Sequence, residues 1–237
     1  MALFAAVDTS SAVMGWNLFH VARCEEVQEK LLAELQSAVA KSGKDRRLTA
    51  EALSRENVPY LHAIFRETHR LTPPGPIAVT KQVDKDGIKV NNVELKKGDV
   101  ISLEVFTTGM DPELVDNPNE YKPERWLSDA VEARKGTASE ILDHPFLKGP
   151  FSQGMCTIAH FVGCFWLSSL SIGFCECVGA RKCPGARVAT NEMHVLLAQL
   201  VLDWKMSSPV KELENASYVQ RTMIEVQMPE LQFEART

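Results

Sequence analysis

The run Thr72-Pro73-Pro74-Gly75-Pro76 divides this chain into two periodicities, and that division limits what it can fold into. Proline lacks the amide proton a helix needs, and its ring clashes with the preceding turn, so no helix crosses these residues. Upstream, apolar residues recur at helical spacing. Between Ala12 and Ala40 they include Leu18, Val21, Val27, Leu31, Leu35 and Ala38, with Glu25, Glu26, Glu29 and Lys30 on the wet side. After a polar loop at 42–45, a second helical stretch is predicted to open near Thr49 and to break at Val58-Pro59-Tyr60. A third covers residues 60–70, with Leu61, Ile64, Phe65 and Thr68 on its apolar side.

Downstream the period becomes two. Residues 77–83, 87–90, 93–95 and 99–105 read as short strands, with Asp86-Gly87, Asn91-Asn92 and Lys97-Gly98 as turn residues between them. An irregular loop rich in Pro and Asp follows, then a polar run over 128–143. A strongly apolar helix is predicted over 186–201, with Val188, Met193, Leu196, Leu197 and Leu200 clustered by spacing. The fold class is mainly α with a small β-sheet. At 45% apolar and 24% charged residues the composition is that of a globular domain with a real core. The net charge of −5, with basic residues scattered rather than striped, points away from a nucleic-acid partner. Six cysteines, unevenly placed, do not form a secreted disulfide framework in a chain of 237 residues. The first residues show neither a basic region nor a small-residue cleavage site, so no signal or transit peptide is visible.

Four groups of residues could carry chemistry. Cys183 lies in Gly179-Ala180-Arg181-Lys182-Cys183-Pro184-Gly185, just ahead of the last long helix. The positive end of a helix and cationic neighbours both favour thiolate, the form that ligates metal; a half-buried structural cysteine in a turn is the plainer alternative. Glu67 and Arg70 are three apart on a helix and share a face, as a surface ion pair would. Arg125 sits in Pro123-Glu124-Arg125-Trp126. Asp8 and Thr9 could relay protons into an apolar site, or simply cap a helix N-terminus.

Their order is the informative feature. Ala5-Ala6-Val7-Asp8-Thr9-Ser10, then Glu67-x-x-Arg70, then Pro123-Glu124-Arg125-Trp126, then Phe151-x-x-Gly154 and Arg181-x-Cys183-x-Gly185 follow one another along the chain. This arrangement resembles the cytochrome P-450 family of haem-thiolate monooxygenases, over the C-terminal half of that family's domain. The resemblance implies a partial domain over 1–237, lacking the helices that precede the Asp-Thr helix in the family. It implies haem b as cofactor, an iron-protoporphyrin with Cys183 as its axial thiolate and metal ligand. Arg181 would bond a haem propionate, Gly185 would let the backbone pass close to the porphyrin, Phe151 would pack on the ligand loop and Gly154 would permit its turn. Glu67, Arg70 and Arg125 would form the buried charge network that locks the irregular loop behind the haem. Asp8 and Thr9 would lie over the distal face and deliver protons to dioxygen, with Ala5 and Ala6 leaving room for it.

Between the two halves of the haem loop stands an intruder. Removing residues 155–179 on paper leaves Pro150-Phe151-Ser152-Gln153-Gly154-Ala180-Arg181-Lys182-Cys183-Pro184-Gly185, an uninterrupted family loop. Met155 to Cys175 carries no Asp, Glu, Lys or Arg, and about 20 apolar residues would span a bilayer. Three readings compete: a membrane segment, a metal site built from Cys156, His160, Cys164, Cys175 and Cys177, and a translated intron. The intron reading is favoured because removing the segment repairs the motif at both edges.

The expected function is therefore insertion of one oxygen atom from dioxygen into an apolar, sterol-like small molecule. Electrons would come through a redox partner, either a ferredoxin or an NADPH reductase. His144-Pro145-Phe146 and the pattern after Cys183 resemble the mitochondrial, sterol-hydroxylating branch, with Lys182 and Arg187 as candidates for a ferredoxin-docking patch. Association with the mitochondrial or endoplasmic-reticulum membrane is expected. The competing expectation is a non-catalytic, truncated product whose haem loop is broken, held to a membrane through 155–175.

Overall fold

The stretch expected as one helix over 12–40 folds as two. In the computed structural model, which describes residues 2–41, 48–49, 51–73, 78–90, 92–144, 147, 183–220 and 224–236, α1 spans Ala2–Arg23 and α2 spans Glu25–Lys41. Their junction is a bend rather than a loop, because the Cys24 amide donates to the His20 carbonyl at 3.2 Å and Gln28 donates to that of Cys24 at 3.1 Å. Glu25 and Glu26 then stand in the first turn of α2, where the helix dipole favours negative charge. Since α1 starts before residue 8, Asp8 and Thr9 lie inside the helix and do not cap it. Ser11 Oγ donates to the Asp8 carbonyl at 3.0 Å, the local bond a serine makes within a helix.

The helix expected near Thr49 is not formed. Thr49 Oγ1 accepts from the Ala52 amide at 3.1 Å and caps a single turn, after which Asn57 Nδ2 bonds back to the Glu51 carbonyl at 2.8 Å. These side-chain bonds compete with helical ones, and Pro59 has no amide with which to continue. A new helix, α3 (Pro59–Leu71), begins at that proline. Its first free amides, Tyr60 and Leu61, donate to the Glu34 carboxylate of α2 at 2.7 and 3.0 Å. A side chain from a neighbouring helix thus supplies the cap.

Four strands follow the prolines where period two predicts them. β1 (Ala78–Gln82) pairs antiparallel with β4 (Val100–Glu104), and β2 (Ile88–Val90) with β3 (Val93–Leu95). Gly98 adopts φ 98°, a left-handed conformation that disfavours side chains, and its amide closes the turn onto the Val83 carbonyl at 2.9 Å. The short helices α4 (Val105–Met110) and α5 (Ser128–Ala133) flank a 3-10 turn at Pro123–Trp126. The long helix α6 (Ala186–Asp203) leads into β5 (Trp204–Ser207), paired with β8 (Gln232–Ala235), while β6 (Tyr218–Gln220) pairs with β7 (Ile224–Val226). The chain is mainly helical with small antiparallel sheets, as expected.

The main core lies between α1, α2, α3 and α6, with Val21, Leu31, Leu35, Leu61, Ile64 and Leu197 fully enclosed. On α6 the buried face carries Met193, His194, Leu197, Ala198 and Val201. Val188 and Leu196, grouped with the core by spacing alone, face outward instead. Two buried polar side chains tie the layers together. His20 of α1 bonds Thr72 Oγ1 at 3.0 Å, accepts from Arg23 Nε at 3.1 Å, and stacks flat on Tyr121 with ring centres 4.3 Å apart. Because Arg23 can only donate, Nδ1 of His20 is the acceptor and Nε2 carries the proton. Gln28 of α2 donates from Nε2 to the Met206 carbonyl at 2.8 Å and accepts the Met206 amide at 2.7 Å. No helix among the described residues is long and apolar enough to cross a membrane, and the segment 155–179 lies outside them.

Candidate functional site

Glu67 sits in the interior with no exposed surface, and a carboxylate there must be matched by donors or it would be too costly to bury. Five donors meet it. Arg70, one turn on, binds both oxygens, Nε to Oε2 at 2.9 Å and Nη2 to Oε1 at 2.8 Å. From the loop after α4 come the Lys122 amide to Oε1 at 3.0 Å, Arg125 Nε to Oε1 at 3.3 Å, and Trp126 Nε1 to Oε2 at 2.8 Å. The i, i+3 spacing read as a surface pair is therefore a buried one, and the three residues of the expected network converge.

The arginines carry the network outward. Arg70 Nη1 donates to the carbonyls of Gly109 at 3.0 Å and Pro118 at 2.7 Å, and Nη2 to that of Glu120 at 3.1 Å. Arg125 Nη2 donates to the Asn117 carbonyl at 2.9 Å. Asn117 is left-handed at φ 46°, which turns that carbonyl toward Arg125. One guanidinium thus takes up three backbone acceptors of an otherwise irregular loop, fixing its path without regular secondary structure.

Behind this network lies a second clamp that sequence reasoning did not foresee. Asp143 accepts from Arg66 Nη2 at 2.9 Å and from Arg134 Nη2 at 2.9 Å, while Arg134 Nη1 reaches the Arg125 carbonyl at 2.6 Å. Both guanidinium groups lie over the Trp126 ring, at 3.8 Å for Arg66 and 4.9 Å for Arg134. The signal available in the sequence was Trp126 itself, adjacent to Arg125, since an indole carries both an aromatic face and one donor.

Cys183 stands at the entry to α6, half-buried and in no disulfide. Its carbonyl accepts the Ala186 amide at 3.4 Å, and that of Gly185 accepts Ala189 at 2.9 Å, opening the helix directly after the thiol. A Cβ at Gly185 would lie 4.0 Å from Sγ, an ordinary contact distance, so the glycine sits close beside the thiol. One accessible thiol outside any disulfide at a helix start suits a single axial thiolate ligand. Asp8 and Thr9 lie on α1, both partly buried. Phe151, Gly154 and Arg181 fall outside the described residues.

A family model described as cytochrome P-450 matches residues 1–155. The chain belongs to the cytochrome P-450 family. Among related P-450 sequences, the 2-hydroxyisoflavanone synthase of Glycine max is 29% identical over 83% of this chain and 32% of its own length. The ferruginol synthase of Salvia fruticosa is 28% identical over 85% of the chain and 34% of its own length. The sugiol synthase of Salvia miltiorrhiza is 26% identical over 85% and 33%. The chain therefore spans about a third of the length of the curated relatives it matches. These relatives are plant enzymes, and they lend no support to the mitochondrial, sterol-hydroxylating branch expected from the residues around Cys183. That reading rested on a few side chains around Cys183.

Proposed function

We propose that the protein containing this chain is a haem-thiolate monooxygenase that inserts one oxygen atom from dioxygen into an apolar small molecule. The observation that carries the proposal is the convergence of Arg70, Arg125 and Trp126 on the buried Glu67 carboxylate, within a chain that belongs to the P-450 family. The relatives' names, synthases of 2-hydroxyisoflavanone, ferruginol and sugiol, support a small-molecule substrate.

Cys183 would supply the thiolate ligand, Gly185 would let the backbone pass close to the haem, and Phe151, Gly154 and Arg181 would build the rest of the loop. When bound, haem would supply an iron centre able to activate dioxygen, with thiolate electron density favouring O–O cleavage. Asp8 and Thr9 would hold and pass protons on the face of α1, and the Glu67 network would keep the irregular loop in place behind the cofactor. Such a network contributes geometry more than stability, because burying its charges offsets much of their attraction. Electrons would arrive from a redox partner, a ferredoxin or an NADPH reductase, and the protein would be membrane-associated.

A second reading applies to this chain as it stands: a non-catalytic product whose haem loop is interrupted. It draws on one fact, that the family match ends at residue 155, the first residue of the apolar segment. A reduced, carbon-monoxide difference spectrum separates the two. Full-length protein lacking 155–179 should show the red-shifted Soret band of thiolate-ligated ferrous haem, and Cys183→Ser should abolish it. Absence of the band from soluble, haem-supplied protein overturns the enzymatic reading. A band that survives Cys183→Ser means another residue holds the iron. The same spectrum with 155–179 retained decides whether the segment breaks the loop.

A further inference from the structure

Between α3 and the turn after α5 lies a cavity of about 20 Å³, lined by Arg66, His69, Arg70, Gly109, Trp126 and Leu142 among others. Two of these residues carry a buried polar atom with no hydrogen-bond partner among the described residues: Nε of Arg66 and Nδ1 of His69. The other end of Arg66 is committed, with Nη2 on the Leu142 carbonyl at 2.8 Å and on Asp143 at 2.9 Å, and its guanidinium is held against Trp126. Spaced three apart on α3, Arg66 and His69 present their side chains on one face.

The two orphaned atoms are complementary. A guanidinium N–H can only donate, whereas Nδ1 of a neutral imidazole accepts when the proton is on Nε2. Burial holds His69 neutral, its pKa down to about 4. Leaving both atoms unmatched would carry the desolvation penalty of two buried polar groups, which native interiors avoid. A water needs roughly 10–15 Å³ of such space together with two or more polar partners, so this cavity admits one water and excludes any organic ligand.

We propose that this cavity is a binding site for one ordered water molecule, which accepts from Arg66 Nε and donates to His69 Nδ1. The water joins the Arg66–Asp143 clamp to the face of α3 that carries Arg70, so that both ion-pair systems rest on a satisfied polar layer. A small anion such as chloride would satisfy Arg66 but has no proton for Nδ1, which favours water. The proposal is independent of whether the protein is a monooxygenase.

The test is a crystal structure of the full-length protein at a resolution that shows ordered solvent, with a parallel crystal soaked in bromide. The expected result is one density peak within about 2.7–3.2 Å of both atoms, without anomalous signal in the bromide crystal. No peak, or direct contact between the two side chains, overturns the proposal; so does an anomalous bromide peak, which would make this an anion site. In solution, His69→Asn keeps an acceptor near the Nδ1 position and His69→Leu removes it. The Leu variant should melt about 2–4 °C below the Asn variant, the shift that about 1 kcal/mol produces in a chain of this size. Equal melting temperatures would count against the bridge.

Discussion

Trp126 Nε1 donates to Glu67 Oε2 at 2.8 Å, while Arg66 lies 3.8 Å over the same indole ring. One side chain therefore joins the Glu67 network to the Asp143 clamp, through its edge in one case and its face in the other. Trp126→Phe keeps the face and removes the donor, leaving a lone pair of a fully buried carboxylate unmatched. The variant should lose about 1–3 kcal/mol in urea denaturation. Trp126→Leu, which also removes the cation–π contact, should lose about 0.5–2 kcal/mol more. A Phe variant as stable as wild type would deny the indole bond any weight.

Removing the carboxylate itself is the harsher change. Glu67→Ala leaves Arg70 and Arg125 without their shared anion, with Arg70 buried, and should destabilise the protein by about 3–5 kcal/mol. Haem content of the purified, full-length variant is the readout. Normal incorporation would contradict a role for the network in forming the cofactor site.

Gly109 is a less obvious dependency. A Cβ there would come within 3.1 Å of Arg70 Cγ and 3.6 Å of its carbonyl oxygen, and the Gly109 carbonyl is one of the acceptors that hold Arg70. Gly109→Ala should therefore displace the guanidinium and cost about 1–3 kcal/mol, the range for overpacking a filled interior. Thermal unfolding measures it directly, and an unchanged midpoint would show that Arg70 shifts without penalty.

Two buried histidines, His20 and His194, and the half-buried His69 set a pH dependence. Burial lowers His20 well below its ordinary range, with Arg23 and Arg70 adding repulsion, and lowers His194 to about 3, with His62 as a lesser contributor. His69 is lowered to about 4 by burial alone. All three are neutral when folded, whereas a free histidine gains a proton near pH 6.5. Below that pH the unfolded chain binds protons the folded chain refuses. Stability is complete above about pH 6.5 and falls as the pH drops toward 4 for His69 and 3 for His194. The denaturation midpoint should decline between pH 7 and 5, and His194→Leu should flatten part of that slope. A wild-type midpoint unchanged over this interval would refute the account.

What the sequence reveals depends on how far apart the interacting residues lie. α3 and the four strands after the prolines were legible because their signals are local: Pro59 opens the helix, Pro73 follows its end, and alternation with Gly87 and Gly98 sets the strands. Glu67 and Arg70 were legible as a pair by spacing, and Arg125 joined them only through the order of motifs. Trp126, Asp143 and Arg134 were missed, since nothing short-range says that residue 126 meets residue 67 or that residue 143 meets residue 66. Asp8, Thr9, Ser10 and Ser11 carry a local preference for helix ends, which left a cap as one reading of Asp8 and Thr9, yet all four lie within α1.

Gln28 acts as a strand of one residue. Both hydrogen-bonding groups of Met206 point to the same edge of β5, away from β8, and a single amide on α2 occupies them both. Open edges of small sheets are templates on which other chains add strands. Here the β5 edge is closed at its centre by a side chain that cannot itself propagate pairing, so that edge offers other molecules no continuous rail for self-association.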